Sequence, residues 1–280
     1  MDKLTAQTNV AVIADSIAHG VRLVTLALRY PRFIHSELMT HRVFSRNAMS
    51  SRAVPVAKMI EQVRTNPAMP CHWGSNKPGM QAGDELKDSD LAKARAHWRS
   101  SAADAATRAE RMMELGLHKQ VCNRILEPFQ WMHTLVSATE WDNFFALRVH
   151  PAAEPNFQLL AKMIQKEMEQ SSPAERGGHP ISSVAAWHLP YISIEERDKY
   201  CDNPYHLAKL STARCARVSY LNHDGTAPNQ EADLALFLRL MGSDPKHASP
   251  SEHQAFRGLD PTLWSRNFRG WVQHREFLET

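Results

Sequence analysis

The first strongly apolar stretch of the chain is Val21-Arg22-Leu23-Val24-Thr25-Leu26-Ala27-Leu28-Arg29, a nearly continuous run of β-branched and leucine side chains. Such a run predicts a largely buried strand. After Pro31, Phe33 to Met39 carries apolar residues at helical spacing and predicts a short helix. The same spacing returns from Val54 to Arg64, behind Pro55, and predicts a second helix. Between the two, residues 40–53 are polar and basic and read as a loop. Pro67, Pro70, Gly74, Pro78, Gly79 and Gly83 break any period over residues 65–83, which predicts a long loop. Loops of that length are lids, binding loops or disordered inserts. From Ser89 to Leu115 the chain is rich in Ala, Leu, Met, Arg and Glu, the pattern of a helix on the order of 40 Å long that stops at Gly116. Its plainest role is scaffold or subunit interface. Farther on, Asn143, Phe144, Leu147 and Arg148 fall within two turns of one helix, and Pro155 opens another with Phe157, Leu160, Ile164 and Met168 along one face. Residues 171–190 are rich in Ser, Gly and Pro and read as a linker.

The 280 residues, 43% hydrophobic and 22% charged, describe a globular chain with a substantial core. A net charge of +3 gives no global basic field, and the basic residues are scattered, which argues against a nucleic-acid-binding module. Cys71, Cys122, Cys201 and Cys215 form no Cys-x-x-Cys pair and have no histidines at zinc spacing, which points to a reducing compartment and away from a structural metal. No apolar run is long enough to span a membrane and the first residues lack the order of a signal peptide, so a cytoplasmic protein without membrane partners is expected.

Chemistry concentrates in Thr40-His41-Arg42-Val43-Phe44-Ser45-Arg46-Asn47-Ala48-Met49-Ser50-Ser51-Arg52-Ala53. Three arginines, His41, Asn47 and three serines offer many hydrogen-bond donors and almost no acceptors, which suits an anion, most simply a phosphate. A solvated basic loop fits the spacing equally well.

This stretch resembles the signature of the flavin-dependent thymidylate synthases, R-H-R-x-x-S-x-N-E-x-S-x-R-Y. His41, Arg42, Ser45, Asn47, Ser50 and Arg52 match it, whereas Thr40, Ala48 and Ala53 depart from it. Gly116 to Pro128 is similar to another stretch of the family and puts Arg124 at a position that helps hold the nucleotide. Ser137 to Arg148 resembles the family helix N-x-R-x-x-x-N-F-L-x-L-R. Asn143 and Arg148 match there, while Ser137 and Thr139 replace an Asn and an Arg that touch the flavin dinucleotide. Thr212 to Tyr220 and Lys246 to His253 resemble the family stretches A-R-V-S-Y and H-x-[ST]-P-x-E-H. Both normally precede the signature, and here both follow it. The order suggests a circularly permuted or otherwise rearranged relative forming one family domain over 1–280, with a signature and helical part (1–170), a linker (171–190) and a permuted flavin-site part (191–280).

The resemblance implies an α+β fold, an antiparallel sheet packed against several helices, and a homotetramer with active sites between subunits. It also implies reductive C5-methylation of a pyrimidine deoxynucleotide, dUMP to dTMP, with methylenetetrahydrofolate supplying the carbon, FAD the hydride and NADPH the electrons that re-reduce the flavin. Under it, Arg148 and Ser50 are the catalytic candidates, and Ser50 hydrogen-bonds the nucleotide. His41, Arg42, Asn143, Ser219, Ser249 and His253 surround the flavin. Arg52 and Arg124 hold the nucleotide, Arg148 contacts the pyrimidine, and Glu37 and Glu154 stand where the family often has Gln. Without the resemblance, the plainer alternative for Arg148 is a cap on its own helix C-terminus. A carboxylate only accepts hydrogen bonds, so either Glu facing the base would prefer the exocyclic amine of cytosine. C5-methylation or hydroxymethylation of dCMP is therefore one alternative. A non-catalytic nucleotide-binding or assembly protein is another.

Overall fold

The apolar run that begins at Val21 is the central strand of a five-stranded sheet, and the rest of the chain is laid against its two faces. The structure is a computed structural model describing residues 8–219 and 229–279. In chain order its elements are β1 (Asn9–Ala18), β2 (Val21–Pro31), α1 (His35–Leu38), β3 (Ser45–Ala48), α2 (Val56–Thr65), α3 (Asp88–Glu114), α4 (Lys119–Cys122), β4 (Trp131–Ala138), α5 (Asp142–Arg148) and α6 (Pro155–Gln170). They continue with β5 (Ala174–Glu175), β6 (Trp187–His188), α7 (Ile194–Lys199), α8 (Pro204–Ala216), α9 (Gln230–Met241), β7 (Ala255–Arg257), β8 (Trp264–Ser265), β9 (Phe268–Arg269) and β10 (Trp271–Gln273). The fold is α+β.

The main sheet runs β3-β4-β2-β1-β5, antiparallel except for the parallel pair of β1 with β5. Alternation along β2 sends Val24, Leu26, Leu28 and Tyr30 into a core shared with α2, α3 and α6, to which α6 contributes Phe157, Leu160 and Ile164. The opposite face carries Leu23 and Ala27. Leu23 packs with Ala255, Phe268 and Trp271, and Ala27 lies against Cys215 and Val218. Both faces being covered, the strand reads as nearly continuous apolar sequence. The long helix α3 buries only a stripe of small residues, Ala102, Ala106 and Ala109, which lets its backbone approach α2.

Two loop expectations change. Residues 45–48 form the edge strand β3, because β4 supplies the main-chain partners, Ser45 opposite Ser137 and Asn47 opposite Leu135. The long loop 65–83 is tethered: Ala68 and Met69 are buried, and the Trp98 indole of α3 donates to the Ala68 carbonyl at 2.9 Å. Residues 171–190 do more than connect, since β5 extends the main sheet and β6 joins a second, antiparallel sheet ordered β10-β7-β6.

Helix α8 is buried on nearly every side. Its Arg214 is paired with Glu196 of α7 and, through Nε at 2.8 Å, with the fully buried Asp233 of α9. This C-terminal part returns to β3: the Gln273 amide donates to Ser45 Oγ at 3.0 Å, and Asn47 donates to the Cys215 carbonyl at 2.7 Å. Among the described residues, no helix is long and apolar enough to cross a membrane, and no cluster of three or more His, Cys, Asp or Glu could hold a metal.

Candidate active site

The sequence candidates fall into two groups. The first lies where the end of α5 meets the turn after α1. Arg148 donates from Nε to Nε2 of His41 at 3.0 Å, from Nη1 to Oε2 of Glu37 at 3.1 Å, and from Nη2 to Oγ1 of Thr40 at 3.2 Å. Its guanidinium lies over the Phe157 ring, 4.7 Å from the centroid. The side chain thus turns toward α1 and the turn that follows it. An arginine only donates, so His41 accepts at Nε2 and carries its proton on Nδ1. Burial, then Arg148 and Arg46, pull the imidazole pKa down to about 4. The ring stacks on Phe44 and meets the edge of Phe144. Burial and the nearby Glu154 push the Glu37 carboxyl upward, against the pull of Arg148.

Glu154 itself is engaged as a helix cap. One carboxylate oxygen accepts from the Phe157 backbone at 2.7 Å and the other from the Asn156 amide at 2.6 Å. Pro155 follows at the first helical position.

The second group lines a cleft of about 680 Å³ between the turn after β3, helix α4 and the segment before β7. Ser50 and Arg52 reach it from the signature, and Ser249 from the opposite wall. Asn47, Lys119, Gln120 and His247 complete its polar lining. Lys119 donates to the Ala53 carbonyl at 3.2 Å and so braces the turn that carries Arg52. Among the described residues the polar lining is rich in donors and contains no carboxylate, which is the chemistry of an anion site. A further cavity of about 720 Å³, walled by Leu259, Leu263, Trp264 and Val272, is mainly apolar, and its polar lining sets the carboxylates Asp260 and Glu276 beside His179 and Arg257.

The remaining candidates stand apart from both groups. Arg42 and Asn143 are exposed, and Arg124 pairs with Glu127 one turn on, at 2.8 Å. His253 is fully buried, its Nδ1 within 2.9 Å of Ser137 Oγ and its pKa pulled down to about 3 by burial. The Ser219 side chain lies outside the described residues. Sequence reasoning had not selected Lys119, Gln120 or His247. His247 stood inside the Lys246–His253 stretch and could have been found there, whereas Lys119 carries no signal of its own.

As a receptacle for FAD, the chain fits in part. The cleft donors suit a diphosphate or phosphate, and the buried Nε2 of His253 has no partner among the described residues. Ser137 and Thr139 are used internally: Ser137 bonds Thr25 and His253, and Thr139 Oγ1 accepts from the Arg269 backbone at 3.1 Å. Those two positions do not supply the flavin contacts made by the Asn and Arg they replace.

Residues 18–174, more than half of the chain, match the family model described as thymidylate synthase complementing protein. The match spans β2 to β5 with the signature, α3 and the Arg148 helix, and it ends before the 212–220 and 246–253 stretches. Two solved structures of the UMP/dUMP methylase PolB from Streptomyces cacaoi are similar to this chain. The one bound with 5-Br UMP is 14% identical, covering 58% of this chain and 89% of that one, with a TM-score of 0.47. The one bound with 5-Br dUMP is 16% identical, covering 53% and 67%, with a TM-score of 0.42. No curated protein matches the chain. The matched region carries both groups' signature residues and the helix of Arg148, and on that match the chain belongs to the thymidylate synthase complementing protein family, the flavin-dependent thymidylate synthases, as a thymidylate synthase-type methyltransferase.

Proposed function

We propose that the protein methylates a pyrimidine deoxynucleotide at carbon-5, converting dUMP to dTMP, with methylenetetrahydrofolate as carbon donor and NADPH as reductant. FAD, when bound, supplies the hydride. The observation that carries this reading is the convergence of Ser50, Arg52, Lys119 and His247 on one cleft that holds no carboxylate among the described residues. These donors would hold the nucleotide phosphate. Arg148, clamped between Glu37 and His41 against an aromatic floor, is the group suited to a pyrimidine carbonyl whose charge rises as carbon-5 becomes nucleophilic. His41, neutral and an acceptor at Nε2, fixes the direction in which the guanidinium points.

Arg148 does not line the cleft that holds Ser50 and Arg52. This supports a site completed between copies of the chain, in keeping with a homotetramer. The permuted order of one domain is supported by the buried cluster in which Ala18, Val21 and Leu23 meet Ala255, Phe268 and Trp271. That contact brings the end of the Lys246–His253 stretch to the start of β2.

A second reading, dCMP as substrate, rests on Glu37 beside Arg148. Glu154 lends it less, because one carboxylate oxygen caps α6 at the Phe157 backbone and the other accepts from the Asn156 side chain. The test is the absorbance spectrum of the purified protein, followed by titration of FAD with dUMP and dCMP in turn. A bound flavin that responds to dUMP supports the first reading, and a response confined to dCMP supports the second. A colourless protein that takes up neither flavin nor nucleotide overturns both in favour of a non-catalytic role.

A further inference from the structure

A chain of hydrogen bonds crosses the interior on the face of β2 away from the large helical core. Arg176 Nε donates to Ser16 Oγ at 2.9 Å, and Ser16 Oγ lies 2.9 Å from His188 Nδ1. His188 Nε2 lies 2.7 Å from Thr25 Oγ1, which lies 2.6 Å from Ser137 Oγ, which lies 2.9 Å from His253 Nδ1. Every member after Arg176 is fully buried. Beyond the last ring, His253 Nε2 has no partner among the described residues.

The direction of this chain follows from its first member. An arginine nitrogen can only donate, so Ser16 accepts there. Among the described residues the Ser16 hydroxyl has one place to send its own proton, His188 Nδ1. His188 is then the Nε2–H tautomer and donates to Thr25, Thr25 donates to Ser137, and Ser137 donates to His253 Nδ1. His253 is left with its proton on Nε2. The reverse direction strands the Ser16 hydroxyl proton and leaves a bare nitrogen at His253, two unmet groups where the forward direction leaves one. Both imidazoles are held neutral by burial, so neither ring donates from both nitrogens as a charged one would.

We propose that Arg176, Ser16, His188, Thr25 and Ser137 are positioning residues that hold His253 as its Nε2–H tautomer, a directed donor for a carbonyl oxygen or ring nitrogen of bound flavin. The identity of the acceptor rests on the flavin reading above, while the tautomer does not. Backbone pairing fixes the origin of the chain, because the Arg176 amide donates to the Ile17 carbonyl at 2.9 Å beside the β5–β1 pair. Ser137 lies across from both Thr25 and Ser45 in the sheet, so the middle of the chain is held by strand register. An Asn at position 137 would present an amide in place of the hydroxyl that passes direction along. The substitution that removes a flavin contact thus creates the link to His253.

The test is long-range proton–nitrogen NMR on full-length protein with 15N-labelled histidine, with and without FAD. The expected result is a protonated Nε2 and a bare Nδ1 at His253, with the Nε2–H signal moving when FAD is added. Arg176→Met frees the direction, so a second tautomer appears at His253 and FAD binds on the order of tenfold more weakly. Arg176→Lys keeps a donor and restores both, which separates direction from loss of packing. A proton on Nδ1 in the unaltered protein overturns the proposal. So does a tautomer unchanged in both Arg176→Met and Ser137→Ala, or an unchanged FAD affinity in Arg176→Met. If the tautomer is as stated and the unaltered protein binds no FAD, the donor role for flavin is overturned together with the flavin reading, while the tautomer assignment stands.

Discussion

Arg148 and His41, 107 positions apart in the chain, share a hydrogen bond in which the guanidinium donates to the imidazole. A positive group held against a ring makes the ring hard to protonate. Arg148→Ala is therefore expected to raise the His41 pKa from about 4 toward the ordinary histidine range, read by NMR titration of the imidazole. If Arg148 meets the pyrimidine, the same change lowers turnover by on the order of 100-fold. A His41 titration that does not move would show that burial and Arg46 depress it without Arg148.

The pH dependence of stability follows from the buried histidines. His35, His41 and His274 are pulled to about 4 and His253 to about 3, from 6.5, with burial the leading cause in each. Between 6.5 and those values the unfolded chain binds protons that the folded chain refuses. Their contribution is thus complete above 6.5 and is lost as pH falls through the folded values. Glu37 and Glu252, both raised, act in the opposite sense but are fewer. The urea midpoint is expected to fall steadily from about pH 7 to about pH 5. A flat midpoint over that range would contradict the assignment of neutral, buried rings.

Arg52 is exposed on the cleft wall, so its loss should be felt in binding and hardly in folding. Arg52→Ala is expected to weaken dUMP binding by about tenfold to 100-fold, the worth of a charge-assisted hydrogen bond. Calorimetry with deoxyuridine provides the control. A matching loss for the nucleoside would place Arg52 on the sugar or base.

Glu154→Ala separates two roles for one carboxylate. Loss of the α6 cap is expected to cost about 0.5–2 kcal/mol of stability with nucleotide affinity unchanged. A selective change in affinity for dUMP against dCMP, with the melting temperature unmoved, would return Glu154 to the base.

Strand β2, helix α3 and the buried face of α6 were legible in sequence because each has its own period, and local period survives whatever packs against it. The edge strand β3 was not, since its four residues are held by β4, whose partners begin 86 positions farther on, from Ala48 to Thr134. The signature residues were found, but their division into a clamp around Arg148 and a cleft around Arg52 depends on the separate elements that carry them. Glu154 carries two signals at once: its place before Pro155 is a local cap signal, which the structure bears out, while its place where the family often has Gln points to the base. The buried course from Arg176 to His253 takes its four inner residues from strands β1, β6, β2 and β4 and its two ends from the segments after β5 and before β7, and no window of sequence contains two consecutive links of it.

The bond from Gln273 to Ser45 joins residues 228 positions apart. During synthesis the signature strand emerges early, yet its edge hydroxyl is met only when residue 273 has been made. Pairings so distant in sequence form late and slowly. A nascent chain therefore carries its arginines and serines without their final setting until residue 273 has been made, and capture of a ligand is a property acquired only after that.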